Sequence, residues 1–401
     1  MTARATIIVP PDQQRLGSEF DARLTELECF AATHRIAQID LHGASVCVFS
    51  SATKDVGVLD AVFGSQARVT EPRFGTDAGW RVGAIGDDAF YQTWLRLYEE
   101  YLAGPTTPIE VKRWGGDSLA AEVRPAATAA IIKHDRPFRG LSVFSEPRRL
   151  AVYLRPASEQ LNIPHFEHLS KYALRVQHWR QGKLEVHGAA CSYRGRGILL
   201  MGFRRSGKTT LAMHLLSRGG LIIGSDLALL ASDRDWFVEA VPHMCRITRE
   251  TIADNVLLER ALRPFAGNRD YLKGPVFFDA KFELYANAMN IVFSRQMQVP
   301  KSRIDAVLFP RFSLDARNHS IRPMTPPQAA SLVRERLLTD KPLPDWLPFT
   351  EVLQRESLQR PALERLIATL PRTAEIEFGK SNSFDWTRFD ADFDGFVSGR
   401  T

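Results

Sequence analysis

The chain has 401 residues, 44% hydrophobic and 24% charged, with a formal net charge of +6. That is long enough for two or three domains with a substantial core, and the composition excludes wholesale disorder. Apolar runs such as Ile198 to Met201 fall far short of the roughly 18 residues of a spanning helix. The start MTARATIIVPPDQQ lacks the apolar stretch of a secretory signal, and Cys29, Cys47, Cys191 and Cys245 have no disulfide or zinc spacing.

These features lead us to expect a cytoplasmic protein with no membrane association. Its scattered positive charge suits anionic ligands such as nucleotides and, lacking a basic block, is only weak evidence for nucleic acid, which is not expected as a partner.

In chain order, Ser45 to Phe49 reads as strand and Asp88 to Leu102 as a helix ending at the turn Gly104-Pro105. From Leu141 the pattern changes: Leu150 to Leu154 is strand-like and Pro164 to Trp179 helical. Next come two strands, Glu185 to Cys191 and Gly197 to Met201, joined by the turn Tyr193-Arg194-Gly195-Arg196. Thr209 to Arg218 has helical spacing at Leu211, Leu215 and Leu216, stops at Gly219-Gly220, and is followed by the short strand Leu221 to Ile223. Further on, Ile304 to Phe309 reads as strand, and Thr325-Pro326-Pro327-Gln328 as a capping box opening a helix through Leu338. Proline-rich Lys341 to Pro348 then precedes a helical tail at Pro361 to Leu370.

Between the second of those strands and its helix lies GFRRSGKTT, the spacing G-x-x-x-x-G-K-T at Gly202, Gly207, Lys208 and Thr209. Glycines let the backbone curl so that its N–H groups face phosphate, and the helix N-terminus adds positive potential. This predicts a nucleotide bound through its phosphates by Gly202, Arg204, Arg205, Ser206, Gly207, Lys208, Thr209 and Thr210. Lys208 would reach the β- and γ-phosphates, and the Thr209 hydroxyl would ligate Mg²⁺. Asp226, after a short buried strand, is placed for the carboxylate that holds the metal, or is a turn or capping aspartate. His187, in Val186-His187-Gly188-Ala189-Ala190, is either a proton-handling histidine or a structural one.

Taken together, Val186 to Ala190, Gly195 to Gly202, Ser206 to Thr209, Ser217 to Gly219 and Ser225 to Leu230 resemble the catalytic domain of HPr kinase/phosphorylase, and more closely its diverged relatives. The resemblance covers about residues 141 to 340. It implies an α/β fold with a P-loop core related to phosphoenolpyruvate carboxykinases, and Mg²⁺-dependent transfer from ATP to a serine hydroxyl of a protein or peptide.

Carried over by position, it makes His187, Lys208 and Asp226 catalytic residues, with Thr209 and Asp226 at the metal, and leaves a homo-oligomer open. The domain division that goes with it is an N-terminal α+β unit to residue 140, a nucleotide-binding core over 141–324 and a helical extension over 325–401. Where the family shows two aspartates this chain has Ser225-Asp226. The family's later glycine-rich signature is not matched over Val241 to Glu250, so phosphorylase activity is not expected. A nucleotide-binding regulator with little transfer is the alternative reading, and a nucleic-acid-linked ATPase the third.

Arg204 and Arg205 suit phosphates, an acidic acceptor or solvent; Arg205 stands where the family usually has glycine. Arg311 is a phosphate contact or a solvated loop arginine. Asp390-Ala391-Asp392-Phe393-Asp394-Gly395 matches half a calcium loop, but the surrounding aromatics, Phe384, Trp386, Phe389, Phe393 and Phe396, better suit a docked tail or a partner-binding one.

Overall fold

The computed structural model describes residues 11–52, 56–63, 67–71, 79–101, 107–112, 118–125, 129–134, 139–161, 163–231, 236–242, 244–270, 273–278, 281–339, 350–380 and 384–400. The expected turn at Gly104-Pro105 and the proline-rich Lys341 to Pro348 lie outside these residues.

The first half is α1 (Pro11–Thr33), β1 (Arg35–Leu41), β2 (Ala44–Ser50), α2 (Val56–Phe63), β3 (Arg68–Thr70), β4 (Trp80–Gly86), α3 (Asp88–Tyr101), β5 (Thr107–Lys112), β6 (Ser118–Pro125), β7 (Ala130–His134), β8 (Gly140–Ser145), β9 (Leu150–Arg155) and α4 (Ile163–Arg180). The nine strands form one sheet in the order β3-β1-β2-β4-β9-β8-β7-β6-β5. Every residue of β8 and β9 is buried, because helices cover both faces. Alternation decides which way each side chain turns: Ala151 and Tyr153 join Phe166, Leu169 and Trp179 of α4, whereas Leu150, Val152 and Leu154 join Phe20, Leu24 and Leu27 of α1 and Trp94 of α3.

The division expected at residue 140 therefore cuts through this sheet. β8 pairs with β7, and β9 pairs with β4, so hydrogen bonding keeps residues 140–155 with the strands before them.

The second half opens with β10 (Leu184–Val186), β11 (Gly188–Tyr193), β12 (Arg196–Met201), α5 (Lys208–Ser217), β13 (Leu221–Gly224), β14 (Ala228–Ala231) and β15 (Phe237–Ala240). Next come β16 (Cys245–Thr248), α6 (Arg249–Ala253), α7 (Val256–Leu262), a single 3₁₀ turn, β17 (Val276–Phe278), β18 (Lys281–Leu284), α8 (Ala286–Phe293) and β19 (Lys301–Arg303). The chain ends with β20 (Ala306–Phe312), β21 (Ser320–Pro323), α9 (Pro326–Thr339), α10 (Thr350–Ala368), β22 (Arg372–Phe378) and α11 (Trp386–Ser398). A six-stranded sheet, β13-β11-β12-β20-β22-β21, is its centre, flanked by the four-stranded β10-β14-β15-β19 and the three-stranded β16-β18-β17.

Two expectations about this half are corrected. The predicted strand Glu185 to Cys191 is two strands in different sheets, broken at His187, because β10 pairs with β14 and β11 with β12. The C-terminal part is not a helical appendage: β22 lies inside the central sheet, parallel to β20, and its alternating Ala374 and Ile376 are fully buried.

The half calcium loop is a stretch of α11, which starts at the cap Asp385 and ends at Gly399 in the left-handed region. Its aspartates are turned to protein partners, Asp390 to Tyr193 and Arg194, Asp392 to His319 and Asp394 to Arg194. Phe389, Phe393 and Phe396 bury the helix against the sheet that carries α5.

Candidate active site

Three parallel strands, β12, β20 and β22, end on the same side of the central sheet, and loop 202–207 leaves from the first of them. Gly202 has φ 150° and Gly207 φ 99°. A Cβ on Gly207 would stand 2.9 Å from Phe312 Cβ at the end of β20 and 2.9 Å from Phe378 Cζ at the end of β22. Glycine is required there by both conformation and space. Phe312 N donates to Ser206 O at 3.0 Å, which ties the loop to the next strand.

The sequence-predicted loop residues are held as follows. Lys208 is buried at the start of α5, its Nζ donating to the carbonyl oxygens of Gly202 (2.7 Å) and Phe203 (2.9 Å). Ser206 Oγ is buried without a hydrogen-bond partner among the described residues. Gly207, the N-cap of α5, supplies no side-chain cap, so the first turn of α5 leads with N–H groups that no helix carbonyl can reach. Thr209 is half-buried. Thr210 Oγ1 lies 3.0 Å from Thr251 Oγ1, a contact that anchors α6 to the loop helix. Arg204 and Arg205 are exposed, and Arg205 has φ 66°. That left-handed conformation is the physical reason a glycine suits the position. Arg311 is exposed near the end of β20.

Strand register brings His187 and Asp226 to the same corner. Gly188 pairs with Met201, Ala190 with Gly224, and Val186 with Ala228, so the break after β10, the end of β12 and the turn after β13 are superposed. His187 Nδ1 donates to the carbonyl oxygen of Asp226 at 2.8 Å and lies 3.2 Å from its Oδ1. A carbonyl can only accept, so this bond fixes the neutral ring's proton on Nδ1 and its lone pair on Nε2. Asp226 itself has φ 66°, a conformation aspartate tolerates better than most residues, and its carboxylate is about one-third exposed. Ser225 turns inward beside Cys245, whose thiol burial pushes up to about 12.

Two further residues reach the loop without any mark in the sequence. Arg336 of α9 stacks its guanidinium 3.3 Å from the ring centroid of Phe203, and Thr251 caps the contact with Thr210. Phe203 is legible as an apolar residue at an unusual place, the tip of a phosphate-type loop, but nothing local identifies Arg336. A cavity of about 350 Å³ lies against the other side of α6, lined by Arg249, Ile252, Phe277 and Phe282 among others.

Among the described residues, no group of three or more His, Cys, Asp or Glu could hold a metal ion, and no helix is long and apolar enough to cross a membrane. No protein-family model matches the chain, and no curated protein matches it. Among solved structures, the HPr(Ser) kinase/phosphatase from Coxiella burnetii superposes over 54% of this chain and 95% of its own at 11% identity, with a TM-score of 0.24. That is a weak structural neighbour, and at that score it adds no argument about activity. What stands on the chain's own geometry is a mixed α/β protein with a glycine loop at the ends of three parallel strands.

Proposed function

We propose that this chain is an ATP- and Mg²⁺-dependent kinase that transfers the γ-phosphoryl group to a hydroxyl, of the serine type, on a protein or peptide. The observation that carries the reading is the corner fixed by strand register, where loop 202–207, Lys208 and the His187–Asp226 pair meet.

The residues present fit a phosphate chain. A buried hydroxyl at Ser206 without a hydrogen-bond partner among the described residues, the uncapped first turn of α5 and a lysine resting on carbonyl oxygens are donors that suit phosphate oxygens. Thr210 contributes its backbone N–H, because its hydroxyl is engaged by Thr251. The Thr209 hydroxyl and the Asp226 carboxylate suit Mg²⁺, which typically takes one or two protein oxygens and completes its shell with water and phosphate. When bound, the ion neutralises charge on the phosphates.

The chain's own work is positioning and proton handling. Lys208 exchanges the carbonyl oxygens of Gly202 and Phe203 for phosphate oxygens and stabilises charge that builds during transfer. Asp226 accepts the acceptor's hydroxyl proton at a carboxylate oxygen. His187 keeps its Nδ1 proton on the Asp226 carbonyl, which holds the left-handed turn that presents the carboxylate.

A second reading, a nucleotide-binding regulator with little transfer, is favoured by Ser225, which offers no second carboxylate and faces inward at 8% exposure. Incubation of γ-labelled ATP with the purified chain and a lysate, beside Lys208→Ala, separates the two. Label on an acceptor that requires Lys208 supports the kinase; bound nucleotide without transfer supports the regulator. Phosphate release stimulated by RNA or DNA would instead mark a nucleic-acid-linked ATPase.

A further inference from the structure

Large apolar side chains exposed to solvent are few among the described residues, and the two most exposed are Leu314 at 71% and Phe203 at 64%. They belong to neighbouring turns. Phe203 is in the glycine loop, Leu314 follows β20, and the bond from Phe312 N to Ser206 O joins the two backbones. Phe203 is not loosely displayed, since Arg336 covers part of its ring from below. A paired apolar display of this kind, set at the mouth of a polar site, is the mark of an interaction surface.

The charge around it is one-sided. Arg204, Arg205, Arg311 and Arg317 are exposed on the same two turns or the strand between them, with Asp315 among them. None of the four forms an ion pair with a described carboxylate. Some exposed arginines elsewhere do, as Arg194 with Asp390 and Arg388 with Asp392 show, and others, such as Arg68, Arg260 and Arg269, do not; what sets these four apart is that they gather on two adjoining turns. Guanidinium groups without a described carboxylate partner, beside exposed leucine and phenylalanine, are complementary to an acidic chain that also carries an apolar side chain.

We propose that this rim docks the acceptor as an acidic polypeptide segment whose apolar side chain packs on Phe203 and Leu314, so that its carboxylates meet the arginines and its hydroxyl enters beside Asp226. The role of the docked segment as acceptor rests on the kinase reading; its binding does not.

The test is fluorescence anisotropy with a labelled serine peptide rich in glutamate around a single leucine, beside versions with glutamine for glutamate and serine for leucine. The expected result is binding that weakens with salt, is lost with either altered peptide, and falls about tenfold in Leu314→Ser and in Arg317→Glu. Affinity for a fluorescent ATP analogue should be unchanged in both variants. The proposal is overturned if the glutamate and glutamine peptides bind alike, if both variants bind as the parent does, or if Phe203→Ala weakens the ATP analogue, since the exposed ring would then serve the nucleobase. Peptide selectivity in a chain that binds no ATP analogue upholds the rim and sinks the kinase reading; tight analogue binding without peptide selectivity sinks the rim and leaves the kinase reading to the labelled-ATP transfer assay.

Discussion

Asp226 combines a partly exposed carboxylate with a backbone that few residues accept, and the two properties can be separated by substitution. Asparagine tolerates the left-handed region about as well as aspartate, so Asp226→Asn is expected to melt within a few degrees of the parent. On the proposed kinase reading, with Asp226 as the general base, phosphoryl transfer measured by single turnover should fall by about 10²- to 10⁴-fold. An Asp226→Val chain would lose stability as well, because a β-branched residue at φ 66° is strained. Arg205 has the same φ without a comparable bond to hold it. Arg205→Gly exchanges a left-handed penalty of about 1–2 kcal/mol for the lost backbone entropy of glycine, about 0.5–1 kcal/mol. Its urea midpoint should therefore stay level or rise, whereas that of Arg205→Val should drop.

At the scale of elements, β10 is the short strand that aims His187, and it is tied to the first half through a buried ion pair. Arg175 of α4 donates from Nε and Nη2 to the two carboxylate oxygens of Glu185 at 2.5 and 2.6 Å, with the carboxylate only 2% exposed. Removing one partner strands the other charge in the interior, so Arg175→Met should cost about 3–5 kcal/mol by denaturant unfolding. The double variant Arg175→Met/Glu185→Met should recover much of that loss, since no buried charge then remains. If the double is as unstable as the single, packing and not charge is what Arg175 provides. Gly207→Ala tests the other end of the site. A methyl group at φ 99° against Phe312 and Phe378 should destabilise the chain by about 1–3 kcal/mol and weaken nucleotide binding, which titration with a fluorescent analogue measures.

Across the whole molecule, acid sensitivity follows from histidines buried in the neutral form. Burial holds His134, which bonds Ser142, at about 3, and burial together with the positive charge of Lys183 does the same for His178. Both folded values lie below the ordinary 6.5, so the unfolded chain takes up these protons first. The stability they contribute is complete above pH 6.5 and is lost as pH falls toward 3, at up to about 1.4 kcal/mol per pH unit for each histidine. Urea unfolding at pH 7.5, 6 and 5 should show this slope, and His134→Gln with His178→Gln should flatten it. An unchanged slope in the double variant would assign the acid sensitivity to other groups.

The sequence by itself determined the local pieces whose cause is local. Gly202, Gly207 and Lys208 sit in a strand-loop-helix because glycine spacing and apolar periodicity act over a few residues. The hairpin at Arg194-Gly195, both at positive φ, and the cap in which Thr325 meets Gln328 were legible for the same reason. The ordered spacing of His187, the loop and Asp226 marked all three.

Only the tertiary structure decided which strands keep company. Residues 140–155 read as the start of a new unit, yet their hydrogen bonds go to β4 and β7, and β22 enters the central sheet from far along the chain. Pairing partners distant in sequence leave no periodic signal, because each strand buries its alternating side chains equally well in either sheet. The same holds for Arg336 over Phe203 and for Leu314 beside the loop: contacts made by burial and register between remote segments exist only once the sheet has placed them.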